Sequence, residues 1–211
     1  MVSKEVFPVA IPVASIFFAS FFPLLFQPKP VYSHWNFYLA CLSGICFLWI
    51  LWFFRDPEID IKKNDKIFLS PASGRVLEVE KTQKNTVRIF MNIFDYHIQR
   101  SPVCGKIKEI KYTSGKFLSA FLPDAHEKNE RNKIVIESQS GEIEILQIAG
   151  SIARRIICWK KEGDEVLQGE KIGMIKFGSQ VDCTFPLNYE VLVKKGEKVF
   201  CAKTPIARLK E

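Results

Sequence analysis

A histidine, an aspartate two residues before it and a glycine–serine dipeptide have the most chemical potential in this sequence. His97 lies in Phe94-Asp95-Tyr96-His97-Ile98-Gln99-Arg100-Ser101-Pro102, between two apolar, strand-like segments. An imidazole exchanges protons near neutral pH. If the segment is extended, Asp95 shares its face and can orient the ring. Gly178-Ser179 lies in Ile175-Lys176-Phe177-Gly178-Ser179-Gln180-Val181-Asp182, and a serine hydroxyl becomes a nucleophile once a base takes its proton. Each feature also has a plainer reading. A lone histidine is commonly a satisfied structural residue, and Gly-Ser commonly marks a turn; Gly150-Ser151 is a second such dipeptide. His34 opens an apolar run and reads as interfacial, and His126 sits in a charged, loop-like stretch and reads as solvated. Cys41, Cys46, Cys104, Cys158, Cys183 and Cys201 form no CxxC and have no histidine at ligand spacing. No metal site and no disulfide framework are therefore expected.

The elements that must position these residues are short strands. After residue 66 the sequence turns to β-branched stretches punctuated by glycine, and two pairs of segments repeat. Pro71-Ala72-Ser73-Gly74-Arg75-Val76-Leu77-Glu78-Val79 aligns with Pro102-Val103-Cys104-Gly105-Lys106-Ile107-Lys108-Glu109-Ile110. Lys161-Glu162-Gly163-Asp164-Glu165-Val166-Leu167-Gln168-Gly169 aligns with Lys194-Lys195-Gly196-Glu197-Lys198-Val199-Phe200-Cys201-Ala202. Each reads as a turn feeding a half-buried strand. The second pair looks like the turn units of biotinyl- and lipoyl-type domains. Two copies of each predict a mainly β fold, a β-sandwich or flattened barrel over residues 67–211. One helix is predicted inside it, over residues 115–122, where Phe117 and Phe121 are apolar at helical spacing ahead of Pro123. Core packing is the plain reading of both, substrate contact the other.

The amino-terminal quarter is a different material. Of 27 aromatic residues, 15 fall in the first 54 positions, which hold only three charges, Lys4, Glu5 and Lys29. Val6 to Phe26 and Val31 to Phe54 are uncharged runs of 21 and 24 residues. As a helix the first spans about 31 Å, enough to cross a hydrocarbon core, and Pro12 is expected to kink it. Signal-peptide cores are shorter and are not followed at once by a second apolar run. Gln27-Pro28-Lys29-Pro30 leaves room only for a tight connection, so residues 1–54 read as a membrane-anchoring hairpin and 55–66 as a linker. Lys4 before it, and Arg55, Lys62, Lys63 and Lys66 after it, favour both ends on the cytoplasmic side. A hairpin dipping into one leaflet gives the same sidedness.

Composition excludes wholesale disorder and collagen-like sequence, with 47% hydrophobic residues, 25% charged, and 11 Gly and 11 Pro without a period. The mean hydropathy of +0.03 averages two unlike parts. The net charge of +7 asks for an anionic partner. A nucleic acid is not expected, because no basic cluster is interleaved with aromatics outside the apolar runs. A membrane surface is.

In order along the chain, these segments resemble the short-form phosphatidylserine decarboxylase proenzymes. The resemblance runs from the hairpin exit Phe53-Phe54-Arg55-Asp56-Pro57-Glu58 through Ser70-Pro71-Ala72-Ser73-Gly74-Arg75-Val76 and Asp95-Tyr96-His97-Ile98-Gln99-Arg100-Ser101-Pro102-Val103. It continues through Gly115-Lys116-Phe117-Leu118, Asn129-Glu130-Arg131-Asn132 and Gln147-Ile148-Ala149-Gly150-Ser151-Ile152-Ala153-Arg154-Arg155, and closes on Phe177-Gly178-Ser179-Gln180-Val181-Asp182. Nearly the whole chain is covered.

The resemblance implies a proenzyme that makes its own cofactor. Ser179 would attack the carbonyl of Gly178, and the ester would break by β-elimination. The products are a β chain of residues 1–178 and an α chain of residues 179–211 that begins with a pyruvoyl group. The two would stay together as a heterodimer, with Ser151 incidental. The pyruvoyl carbonyl would form a Schiff base with the amine of phosphatidylserine and act as electron sink for loss of carbon dioxide, giving phosphatidylethanolamine in phospholipid biosynthesis at the inner face of the cell membrane. His97 takes the role of base and acid. Ser73 stands where the family normally carries the aspartate that orients this histidine, which makes Asp95 the possible substitute. It also opens an alternative, a processing-deficient relative serving as a membrane-tethered scaffold. Cys104 likewise replaces an acidic residue common in the second copy. Phe117, Phe121, Arg131, Arg154 and Arg155 are candidates for binding the lipid, the arginines through forked contacts to its phosphate.

Overall fold

The computed structural model describes residues 2–26, 34–61, 63–116, 128–150, 155–176 and 179–210. It divides into two compact units, one up to Glu58 and one from Ile59 onward.

In the first unit α1 (Phe7–Phe26) and α2 (His34–Phe53) are helices of 20 residues each, both long and apolar enough to cross a membrane. They run antiparallel: Val2 bridges Arg55, and Ser3 N donates to Phe54 O at 2.9 Å. Small residues let them approach, with Ala10, Ser20, Ala40 and Ser43 buried. Gly44 faces Phe17, whose ring would lie 3.2 Å from a Cβ at that position. Ser15, Ser20 and Ser43 each donate to a carbonyl one turn back, so their hydroxyls are satisfied within an apolar span. α1 continues as one helix through Pro12 and Pro23.

The second unit is mainly β. Among the described residues it holds β1 (Ile67–Leu69), β2 (Gly74–Lys81), β3 (Asn85–Met91), β4 (Ile98–Arg100) and β5 (Gly105–Thr113). Then come β6 (Arg131–Ser138), β7 (Gly141–Ala149), β8 (Ile156–Cys158), β9 (Glu165–Val166) and β10 (Lys171–Ile175). The last four are β11 (Ser179–Phe185), β12 (Tyr189–Val191), β13 (Lys198–Val199) and β14 (Pro205–Leu209). They form an eight-stranded sheet of order β13-β2-β3-β11-β7-β6-β5-β9 and two three-stranded sheets, β1-β14-β12 and β4-β10-β8. One apolar core draws on all three: Val87, Ile89, Ile134, Ile143 and Val181 from the large sheet, Phe68, Tyr189 and Ile206 from one small sheet, Ile172 and Ile175 from the other.

The large sheet has an approximate twofold, and the sequence repeats map onto it. β2 and β5 begin at the first repeated pair, and β13 and β9 come from the second. They pair at opposite ends of the sheet through equivalent contacts, Val199 opposite Gly74 and Val166 opposite Gly105. Gly196 N donates to Val76 O at 2.7 Å, and Gly163 N to Ile107 O at 2.8 Å. Each turn ends on a residue with positive φ, Gly169 at 80° and Ala202 at 55°. At Gly169 a Cβ would lie 1.9 Å from Ile61 Cδ1, so both space and backbone demand glycine there.

The predicted helix over 115–122 falls mainly outside the described residues. Where it would begin, Lys116 instead makes an isolated bridge with Asn129.

Candidate active site

Ser179 opens β11, the strand wedged between β3 and β7. It is opposite Met91 on one side and Ala149 on the other. Because side chains alternate along a strand, Ser179 shares its inward face with Val181, Cys183 and Phe185, all core residues. Ser179 is fully buried, and its hydroxyl donates to Met91 Sδ at 3.4 Å. A thioether is a weak acceptor, so the hydroxyl sits in a nearly apolar place with its backbone clamped on both sides.

His97 immediately precedes β4 and is also fully buried. The segment before it is a turn rather than a strand: Asp95 N donates to Asn92 O, and Asn92 N donates to Asp95 Oδ2, both at 3.0 Å. The shared strand face expected for Asp95 and His97 is therefore absent. Asp95 meets the imidazole instead through its main-chain carbonyl, 2.8 Å from Nδ1. A carbonyl only accepts, so Nδ1 carries the hydrogen and the lone pair of the neutral ring belongs to Nε2. The Asp95 carboxylate faces Lys198, with Nζ 3.7 Å from Oδ1.

Two links bring the histidine and serine segments into one neighbourhood. Ile175 N, on the strand that leads towards Ser179, donates to His97 O at 3.3 Å. Gln99 Nε2 donates to His97 O at 2.8 Å and lies 3.7 Å from Met91 Sδ, the same sulfur that Ser179 touches. Gln99 Oε1 accepts from Gln147 Nε2 at 2.9 Å, and Gln147 Oε1 accepts from Asn132 Nδ2 at 2.8 Å. All three amides are buried. Sequence reasoning assigned no role to this chain of amides or to Met91. Only Gln147, between Leu146 and Ile148, stands out in the sequence; Asn132, between Arg131 and Lys133, reads as solvent-facing although it is buried.

Ser73 is buried at the turn into β2, where its hydroxyl accepts from Cys201 N at 2.9 Å. Cys104 has the equivalent role in the other half, its sulfur accepting from Gln168 N at 3.3 Å. Both residues cap a turn of the opposing repeat. The Cys201 thiol in turn donates to Pro71 O at 3.2 Å and Ile98 O at 3.4 Å, next to His97. Burial pushes this thiol up to about 12 and raises Cys183 well above its ordinary value, so both stay protonated at neutral pH.

Arg131 opens β6 and is half-buried, while Arg155 is exposed. They flank a shared cluster: Arg131 lies opposite Thr113 at the end of β5. Burial, then the neighbouring Glu130, raises the Tyr112 phenol against the opposing pull of Arg155. Arg155 O also accepts from Lys176 N at 3.1 Å, on the approach to Ser179. Gly178, Phe117, Phe121 and Arg154 lie outside the described residues, as do His126 and Ser151.

The sequence profile described as phosphatidylserine decarboxylase matches residues 46–207. A Methanosarcina barkeri protein, provisionally named archaetidylserine decarboxylase proenzyme, is 42% identical over 179 residues, covering 85% of this chain and 86% of the relative. The phosphatidylserine decarboxylase proenzyme of Syntrophus aciditrophicus is 42% identical over 178 residues, covering 80% and 84%. On this extent of similarity, the chain belongs to the phosphatidylserine decarboxylase family.

Proposed function

We propose that this chain is a membrane-anchored, pyruvoyl-dependent carboxy-lyase. It removes the carboxylate of a phospholipid serine headgroup after cutting itself between Gly178 and Ser179. The observation that carries the reading is the placement of Ser179, buried at the head of a central strand and joined through Met91 and Gln99 to the segment of His97.

His97 Nε2 takes the Ser179 hydroxyl proton, and Oγ forms a bond to the Gly178 carbonyl carbon. The peptide C–N bond breaks as its nitrogen gains a proton, leaving an ester. Loss of the residue 179 Cα proton then breaks the Cβ–Oγ bond and frees the Gly178 carboxylate. Addition of water and departure of ammonia leave the pyruvoyl group at position 179.

The site fits that group. Residue 179 is shielded from water and held by two neighbouring strands, and the buried thiols Cys183 and Cys201 are held protonated and hence poorly nucleophilic. The pyruvoyl group supplies an electron sink for the carbanion left by carbon dioxide loss. Arg131, Arg154 and Arg155 supply positive charge for the lipid phosphate, and Phe117 and Phe121 apolar surface for its chains. His97 returns a proton to the product carbon.

Strands β11, β13 and β14 pair with β1, β2, β3 and β7, and β12 pairs with β14, so the 33 residues after the cut remain seated as half of a heterodimer. Two apolar helices with basic flanks fit an anchor in the cell membrane with the catalytic unit on the cytoplasmic side.

Purified protein in detergent should convert phosphatidylserine to phosphatidylethanolamine with one carbon dioxide each, and Ser179→Ala should abolish both this activity and cleavage. Activity that survives Ser179→Ala would sink the reading. A second reading rests on Ser73, whose hydroxyl caps a turn and carries no charge with which to stabilise an imidazolium. In that case the protein stays uncut and serves as a membrane-tethered scaffold.

A further inference from the structure

We propose that the turn carrying Phe94 and the turn following β13 form one patch that docks on an anionic phospholipid surface beside the active site. The proposal rests on the reading above that the substrate is a bilayer lipid, and it says which surface of the β unit meets that bilayer.

Phe94 and Phe200 are 62% and 51% exposed. Among the described residues they are the exposed phenylalanines of the β unit. Lys198 links the two turns that carry them: its Nζ lies 5.8 Å from the centre of the Phe200 ring and 3.7 Å from the carboxylate of Asp95, the residue after Phe94. The surrounding charge is positive. Lys194, Lys195, Lys198 and Lys203 are all exposed within ten residues that contain a single acid. That acid, Glu197, is turned back to accept from Lys194 N at 2.8 Å. Arg75, opposite Lys198 in the sheet, donates to Gly196 O at 2.6 Å and adds a further cation.

An aromatic ring beside a lysine, a second exposed ring on the turn to which that lysine is paired, and more lysines at the rim match the layered chemistry of a bilayer surface. Rings settle at the boundary of headgroups and acyl chains, and ammonium groups reach the phosphates. A nucleic acid would want these rings stacked on bases along a groove. Here the Phe200 ring lies beside a cation that is paired with a carboxylate, and the same chain carries two helices apolar enough to cross a membrane.

The patch is continuous with the site. Asp95 pairs with Lys198 through its carboxylate and holds His97 Nδ1 through its carbonyl. The patch thus borders the residue that orients the histidine.

The test uses the full chain in nanodiscs, of phosphatidylcholine alone or of equal parts phosphatidylcholine and phosphatidylglycerol, which is not a serine lipid. Hydrogen exchange of amides in 92–95 and 198–203 should slow about fivefold or more in the anionic discs. Phe94→Ser combined with Phe200→Ser should remove that difference. Equal exchange in the two discs, or protection retained by the double variant, overturns the proposal.

In a second arm, the ratio of decarboxylation rates on vesicle-embedded and monomeric short-chain phosphatidylserine should fall about tenfold in the double variant. An unchanged ratio also counts against the patch. If the wild type decarboxylates nothing, the functional reading alone fails, and the exchange experiment still decides the patch.

Discussion

Replacing Ser73 with aspartate separates two ways of holding the same histidine. As the chain stands, His97 is oriented by the Asp95 carbonyl and Ser73 caps a turn. A carboxylate at position 73 can accept the same Cys201 N–H and add a charge that favours the imidazolium. Ser73→Asp should therefore speed self-cleavage, by up to roughly 10⁴-fold if it matches the contribution of the aspartate in a protease triad. Timed denaturing gels of freshly translated protein measure this, and an unchanged rate would show that the carbonyl alone suffices. The thiols give a second residue-scale test. Burial pushes the Cys201 thiol up to about 12, so it stays protonated at pH 8. Iodoacetamide should label the half-exposed Cys104 and Cys158 in the folded protein while Cys201 and Cys183 stay unmodified until denaturation. Fast labelling of Cys201 would mean that this turn opens readily.

At the scale of elements, the repeats were readable because turns have demanding chemistry. A glycine two or three residues before a valine or isoleucine opens each of the four repeated segments, and in each the apolar residue begins or joins a strand. The sheet then places the two copies at opposite ends of one eight-stranded array. What the sequence did not yield was the neighbour order. That β11 sits between β3 and β7 depends on pairings with partners as distant as Met91 for Ser179 and Asn85 for Phe185, which no local pattern encodes. The buried amides of Gln99, Gln147 and Asn132 were hidden for a related reason: in a single strand, a polar residue that meets a partner across the core looks like one facing water. The turn of Asn92 to Asp95 was missed because Ile93 and Phe94, between its two turn-forming residues, read as strand. The two halves predict different tolerances. Gly169→Ala should destabilise the β unit by about 2 kcal/mol or more, since it adds left-handed backbone strain to a contact with Ile61. Ala202 already bears that strain, so Ala202→Gly should be neutral or stabilising. Thermal unfolding of the two variants checks the contrast, and equal destabilisation would count against the equivalence of the turns.

For the whole molecule, the described residues fall into two compact units, an apolar helical pair and a basic, mainly β unit. The net charge of +7 falls mostly on the latter. Self-processing is compatible with this architecture because the cut opens a strand already held on both edges, so no sheet has to reform afterwards. The central claim is that the chain cuts itself once, between Gly178 and Ser179. Intact mass spectrometry of the purified protein, run under denaturing conditions, tests it most directly. The expected result is two species, residues 1–178 and a 33-residue partner bearing a ketone in place of its amino terminus. A single species at 24.3 kDa, persisting after prolonged incubation, would contradict the claim and leave the scaffold reading in its place.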